Sequence, residues 1–259
     1  MASSKSTIGL ALGGGAARGL AHIGILQAFE QAGVTIDYLA GTSAGALAGA
    51  IYASGVSLPE MHAAALRMTW RDLFVPRLTF KSVISNQRVL TYLAKHCRVS
   101  RFEDLRLPFA VVASDLATGQ NVTLTTGALF PAVQASCSIP LLCAPVRLNG
   151  RNYIDGGFAA QIPVAAARTL GADLVIACDV NHNVDLPTNP GNFITTLIHL
   201  MGLISRRSAD EARAQADLVI TVDIRGISLT DFHKGAELVA RGRAAAENIL
   251  PALRKNVFS

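Results

Sequence analysis

Charge is scarce in this chain: Asp, Glu, Lys and Arg make up 16% of its 259 residues, against 51% hydrophobic residues. So apolar a chain does not stay unfolded in water, which excludes a mainly disordered protein. Aromatic residues are few, at 6% with one tryptophan, Trp70. The core must rest on alanine, leucine, valine and glycine, the composition of helices packed closely on a buried parallel sheet. The four cysteines, Cys97, Cys137, Cys143 and Cys178, form no CxxC pair and have no histidines at metal-ligand spacing. Reduced, mostly buried thiols are expected, with no disulfide framework and no metal. No run of about 18 unbroken apolar residues is present, so a spanning helix is not expected. The N-terminal stretch leads into a short strand instead of a secretory apolar segment, and the expected location is cytoplasmic, with peripheral contact to the inner face of the membrane left open. The net charge of +5 comes from basic residues read as dispersed, with no tract, so nucleic acid is not an expected partner.

Strand-like apolar runs alternate with helical segments: Thr7–Leu12 then Ala17–Ala32, Tyr38–Ala40 then Ala44–Ala53, Phe109–Asp115, Leu174–Asp179, and Leu218–Asp223 then Lys234–Leu253. Continuous apolar strands between amphipathic helices imply an α/β fold, a three-layer α/β/α sandwich with a mainly parallel central sheet. A single domain over residues 1–259 is expected, with a helical insertion at about 57–107. In it Met61, Ala64, Ala65 and Met68 share one face and Val89, Leu90, Leu93 and Ala94 another, stripes that read first as core. Pro187 to Gly191 reads as a loop, and Ile194, Leu197, Ile198, Met201 and Ile204 as a helix ending in Arg206-Arg207. That helix either packs in the ordinary way or covers a hydrophobic cleft.

Two glycine motifs carry chemistry. Gly41-Thr42-Ser43-Ala44-Gly45 lies at a strand-to-helix junction, where a sharp turn leaves room only for small neighbours and lifts the Ser43 hydroxyl out of the sheet, as a nucleophile elbow requires. Gly13-Gly14-Gly15-Ala16-Ala17-Arg18-Gly19 links the first strand to its helix and leaves backbone N–H groups to hold a phosphate or a developing oxyanion. There is no Gly-Lys-Ser/Thr ending and no Gly-x-Gly-x-x-Gly, which weakens the nucleotide alternative.

A nucleophilic serine needs a base. Histidines stand at 22, 62, 96, 182, 199 and 233, none in a pattern marking a triad base; His22, inside the helix after the glycine loop, suits packing or a hydrogen bond. Asp155 in Tyr153-Ile154-Asp155-Gly156-Gly157 precedes two glycines, a tight turn that presents a carboxylate. Asp115 and Asp179 also end apparent strands and are its rivals, more simply explained by turns and caps.

Taken together, Leu10–Gly24 with its glycine block, Gly41–Gly45, Ala135-Ser136-Cys137-Ser138-Ile139-Pro140 and Asp155-Gly156-Gly157 resemble the patatin-like phospholipase family, in its compact bacterial branch. The resemblance continues through Ala216–Ile220 and Gly235–Ala246, covering nearly the whole chain. It implies a serine acyl hydrolase of lipase, phospholipase or lysophospholipase type acting on lipid or acyl-ester substrates without cofactor. In it Ser43 is the nucleophile and Asp155 the base of a Ser–Asp dyad, and amides around Gly14, Gly15 and Ala16 form the oxyanion hole. Arg18 either fixes that loop, adding positive potential, or serves as a structural ion-pair partner. Two positions depart from the family pattern: Ala16 stands where a glycine is usual, and Gln161 where asparagine is common. They motivate the alternative of a catalytically weak, lipid-sensing or regulatory binding protein on the same fold.

Overall fold

The computed structural model describes residues 6–80, 82–182 and 193–257. The loop expected at 187–191 lies outside them. From β1 (Ile8–Leu12) the chain passes through a 3₁₀ segment, Ala16–Leu20, into α1 (Ala21–Gln31), then into β2 (Tyr38–Thr42) and α2 (Ala44–Ala53). The segment expected to be helical holds α3 (Leu58–Ala65) and, further on, α4 (Arg88–His96). Between them runs an antiparallel hairpin, β3 (Val75–Thr79) and β4 (Ser82–Ser85), that apolar periodicity did not disclose. There follow β5 (Phe109–Asp115), β6 (Asn121–Leu124), α5 (Leu129–Ser136), β7 (Val146–Leu148), β8 (Arg151–Asp155), α6 (Val164–Leu170), β9 (Leu174–Asp179), α7 (Phe193–Gln215), β10 (Leu218–Thr221) and α8 (Gly235–Val257).

The main sheet has the order β10-β9-β1-β2-β5-β8-β7, with β6 also on β5. Strands β10, β9, β1, β2 and β5 are parallel, while β6 and β8 run antiparallel to β5, and β7 antiparallel to β8. Alternating side chains sort the core onto two faces. Leu10, Leu12, Leu39, Ile176 and Ile220 join a cluster with Ile25, Leu26 and Phe29 of α1, Ala46 and Ala50 of α2, and Leu238 and Leu253 of α8. Ala11, Ala40, Ala110 and Ala177 meet Val164 and Ala167 of α6 and Ala209 and Ala212 of α7. Helices thus cover both faces, giving the expected three layers, and alanine on the second face lets α6 and α7 approach closely. Among the described residues, no helix is long and apolar enough to cross a membrane.

The register at β5 decides what can meet. Val111 and Val112 pair with both β2 and β6, so those two strands occupy opposite edges of β5; Ala113 and Ser114 pair with both β6 and β8, so β8 shares the edge of β2. On that edge Thr42 stands opposite Val112 and Asp155 opposite Ala113. Strands β2 and β8 therefore run toward each other and end at adjacent rungs. Position 43 and position 155 are brought together by this head-to-head ending.

Candidate active site

Ser43 follows β2 with φ 51° and ψ −118°, a conformation that costs an L-residue on the order of 1–3 kcal/mol and is typically stored at functional turns. Its surroundings hold it there. The Ser43 N–H donates to Ser136 Oγ at 2.8 Å, and that hydroxyl donates to Val112 O at 2.6 Å. Ser43 O accepts from Leu47 N and from the buried thiol of Cys137. A side chain at either flanking glycine would collide with backbone: a Cβ on Gly41 would stand 2.5 Å from Gly45 O, and one on Gly45 2.1 Å from Leu12 O.

Asp155 ends β8, its N–H donating to Ser138 O. One carboxylate oxygen, Oδ1, accepts from Gly157 N at 2.7 Å, and Oδ2 accepts from Ser43 Oγ at 2.7 Å. The side chain is only 8% exposed. Burial pushes its pKa up to about 6, against the opposing pull of the Ser43 and Gly157 hydrogen bonds. A carboxylate so placed can take a proton from the hydroxyl it already touches.

The glycine loop lies against this pair, with Gly14 near enough that a Cβ there would come 3.4 Å from Ser43 Cβ. Gln161 clasps the loop from both sides: Gly14 N donates to Gln161 O at 3.0 Å, and Gln161 Nε2 donates to Gly14 O at 2.7 Å. The glutamine that stands where the family commonly has asparagine thus contacts the glycine loop through its side chain. The Gly14 N–H is engaged by the main-chain carbonyl of residue 161, whatever its side chain, which takes it out of the expected donor set. The Gly15 and Ala16 amides have no hydrogen-bond acceptor among the described residues. Burial holds His22 down to about 4, so its ring is neutral and its Nε2–H donates to Gly13 O at 2.8 Å.

Ala16 has φ 48°, so this position does require the left-handed region where glycine is at ease. Ala16→Gly is expected to stabilise the fold by about 1 kcal/mol while leaving the backbone amide in place, which denaturant unfolding would measure. Arg18 ties its segment to two others: Nε and Nη2 donate to Ile227 O and Nη1 to Asn181 Oδ1.

Ser43 opens onto two spaces. A cavity of about 150 Å³ runs beside α2, where Ala44, Leu47, Ala48 and Ile51 form one wall and Met61 and Met68 of the segment after α2 form another. Met61, Ala65 and Met68 join the core as expected, and the whole stripe with Ala64 also lines this cavity. A wider cleft of about 740 Å³ is bounded by Gly15, Ala16, Asp155 and Phe158, and by Met201 and Ser205 of α7. The helix expected at Ile194–Ile204 thus lines a cleft, and it continues past Arg206-Arg207 to Gln215.

The rivals stand elsewhere. Asp115 accepts from the Ala117 and Thr118 amides and pairs with Arg151, and Asp179 pairs with Arg213 and accepts from Asn181 N. Among the described residues no histidine hydrogen-bonds to Ser43 or Asp155; the His199 side chain is outside them. Ser136, the last residue of α5, belongs to the Ala135–Pro140 motif, but its role behind the elbow rests on contacts with Ser43 and Val112 that the motif alone does not disclose.

The family model for patatin-like phospholipases matches residues 10–168, taking in the glycine loop, the elbow and the aspartate turn. The chain belongs to the patatin-like phospholipase family. An NTE family protein of Mycobacterium bovis is 36% identical over 182 residues, covering 69% of this chain and 50% of that protein. Lysophospholipase nte1 of Emericella nidulans is 32% identical over 207 residues, covering 77% of this chain and 13% of that protein. The chain thus spans half of the mycobacterial relative and a small part of the fungal one. Among solved structures, VipD from Legionella pneumophila shares the fold with a TM-score of 0.60 at 13% identity, over 96% of this chain and 67% of that one.

Proposed function

We propose that this member of the family is a serine acyl hydrolase that cleaves carboxylic esters of lipids through an acyl-enzyme, with Ser43 as nucleophile and Asp155 as general base. What carries the reading is the 2.7 Å hydrogen bond from Ser43 Oγ, on a strained elbow, to a buried carboxylate. Ser43 Oγ bonds to the ester carbonyl carbon as its proton passes to Asp155 Oδ2, and the oxyanion forms against the Gly15 and Ala16 amides and the N-terminus of α2. Collapse breaks the bond to the alcohol, which takes the proton from Asp155 and leaves an acyl-serine. Water then gives a proton to Asp155 as its oxygen attacks, and the second collapse returns that proton to Ser43 and frees the acid.

The acyl chain fits the apolar cavity and the leaving alcohol the wider cleft. The eight steps from Ser43 to Ile51 give that wall a length of about 12 Å at the helical rise. The residues at 16 and 161 that favoured a binding protein leave the loop amides in position, which supports turnover. Ser43→Ala is expected to reduce hydrolysis of an activated acyl ester on the order of 10⁴-fold or more, leaving at most the residual rate that the amide donors and binding supply. Turnover undiminished in that variant would end the proposal.

A further inference from the structure

We infer that the hairpin β3–β4 is a wedge that seats this protein on an anionic lipid surface, with Leu78 and Phe80 entering the bilayer and the surrounding basic side chains meeting its head groups. It rests on the acyl-hydrolase reading in one respect, that a lipid substrate has reason to reach the cleft beside the hairpin.

The hairpin is a ribbon with little beneath it. Every residue from Pro76 to Phe80 is exposed, Leu78 at 87% and Phe80 completely, and Val83 on the second strand is 50% exposed. Two-stranded ribbons have little stability of their own, and protruding large apolar side chains on one mark a surface that meets a partner. The charge distribution identifies that partner's sign. Residues 61–98 contain seven of the 23 basic residues and one of the 18 acidic ones, Asp72. This stretch of sequence therefore carries +6 and the rest of the chain −1, so the basic residues that read as dispersed are concentrated in the segment that holds the hairpin, with Arg98 paired to Glu60 just before it. Arg67, Arg71, Arg77, Arg88 and Lys95 are all exposed.

Position links the hairpin to the catalytic cleft. The N–H groups of Val83 and Ile84 donate to Leu142 O at 2.9 and 3.0 Å, and Leu142 lines the wider cleft. Phe74, immediately before β3, lines the apolar cavity, and Asn86, just after β4, donates to Ser138 Oγ. An apolar tip within a basic field is the pattern of an interfacial anchor on anionic lipid. A second copy of the chain would set two strongly basic patches face to face, and nucleic acid would engage the arginines but leave Leu78 and Phe80 in water.

Co-sedimentation of the Ser43→Ala protein, which leaves lipid intact, tests this with vesicles of pure phosphatidylcholine and of equal parts phosphatidylcholine and phosphatidylglycerol. Binding to the mixed vesicles is expected to be at least tenfold tighter and to weaken with added salt. Leu78→Asp with Phe80→Asp is expected to cut it at least tenfold, and Arg71→Glu with Arg77→Glu to abolish the preference for the mixed vesicles. With Ser43 intact, the apolar double variant should keep its thermal midpoint and its rate on a water-soluble short-chain ester. Mixed-vesicle binding that is absent or unaffected by the apolar double variant, or a hairpin-dependent dimer in its place, overturns the inference. Soluble-ester turnover judges the catalytic reading separately, because vesicle binding by Ser43→Ala does not depend on it.

Discussion

Asp155→Asn is expected to lower kcat/KM for an activated ester by about a thousandfold or more and, above pH about 7, to raise the stability of the fold by about 2–3 kcal/mol. Both effects come from burial. In the unfolded chain this carboxyl ionises near the ordinary aspartate value, whereas in the folded protein burial holds its pKa up at about 6. Below pH about 4 both states carry the proton, and the fold keeps the full contribution; as pH rises through about 6 the unfolded chain has ionised first, and that contribution is lost. The amide has no charge to bury, and it preserves an acceptor for Gly157 N–H. The advantage of Asp155→Asn should therefore shrink away below pH about 4. Activity runs the other way across the same window, because only the ionised carboxylate accepts the Ser43 proton. Wild-type kcat/KM should rise with an apparent pKa of about 6 and then level off. Denaturant midpoints at both pH extremes and a pH–rate profile check the pair; a variant both active and no more stable at neutral pH would refute it.

Gly45→Ala is the second large effect. A methyl there would lie 2.1 Å from Leu12 O and 2.8 Å from Gly13 O, both backbone atoms of the strand and loop that carry the amide donors. Neither can move without displacing β1 or the glycine loop. The substitution is expected to cost about 3 kcal/mol or more in stability, and the protein that does fold should lose most of its ester turnover, because the helix start and Ser43 shift together. Circular dichroism on heating, with turnover measured on the folded fraction, decides the matter. A variant as stable and as active as wild type would mean that the elbow is looser than described.

Much of this was legible in the residues. The strands β1, β2, β5, β9 and β10 are apolar runs of the kind that only a covered sheet accepts, and the glycines at 41 and 45 mark a turn too close for side chains. What stayed hidden was short or mixed. Strand β8 reads as a turn because Arg151 and Asn152 are exposed and only Tyr153, Ile154 and Asp155 are buried. Strands β6 and β7 are four and three residues long. The hairpin β3–β4 has almost no buried face, so it leaves no alternation to detect. Helix α7 was expected to stop at its arginine pair, but Ala209 and Ala212 pack against α6 and β9, and Arg213 holds Asp179. The engagement of the Gly14 amide by Gln161, and the Ser136 hydroxyl behind Ser43, depend on contacts between segments distant in sequence.

Labelling of the folded protein with a fluorophosphonate probe, mapped by mass spectrometry, asks whether Ser43 is the nucleophile. One adduct is expected, on Ser43, formed in wild type, absent in Ser43→Ala and slowed by about a thousandfold in Asp155→Asn. A folded wild-type protein that leaves Ser43 unlabelled, or one labelled equally fast without the Asp155 carboxylate, would contradict that assignment.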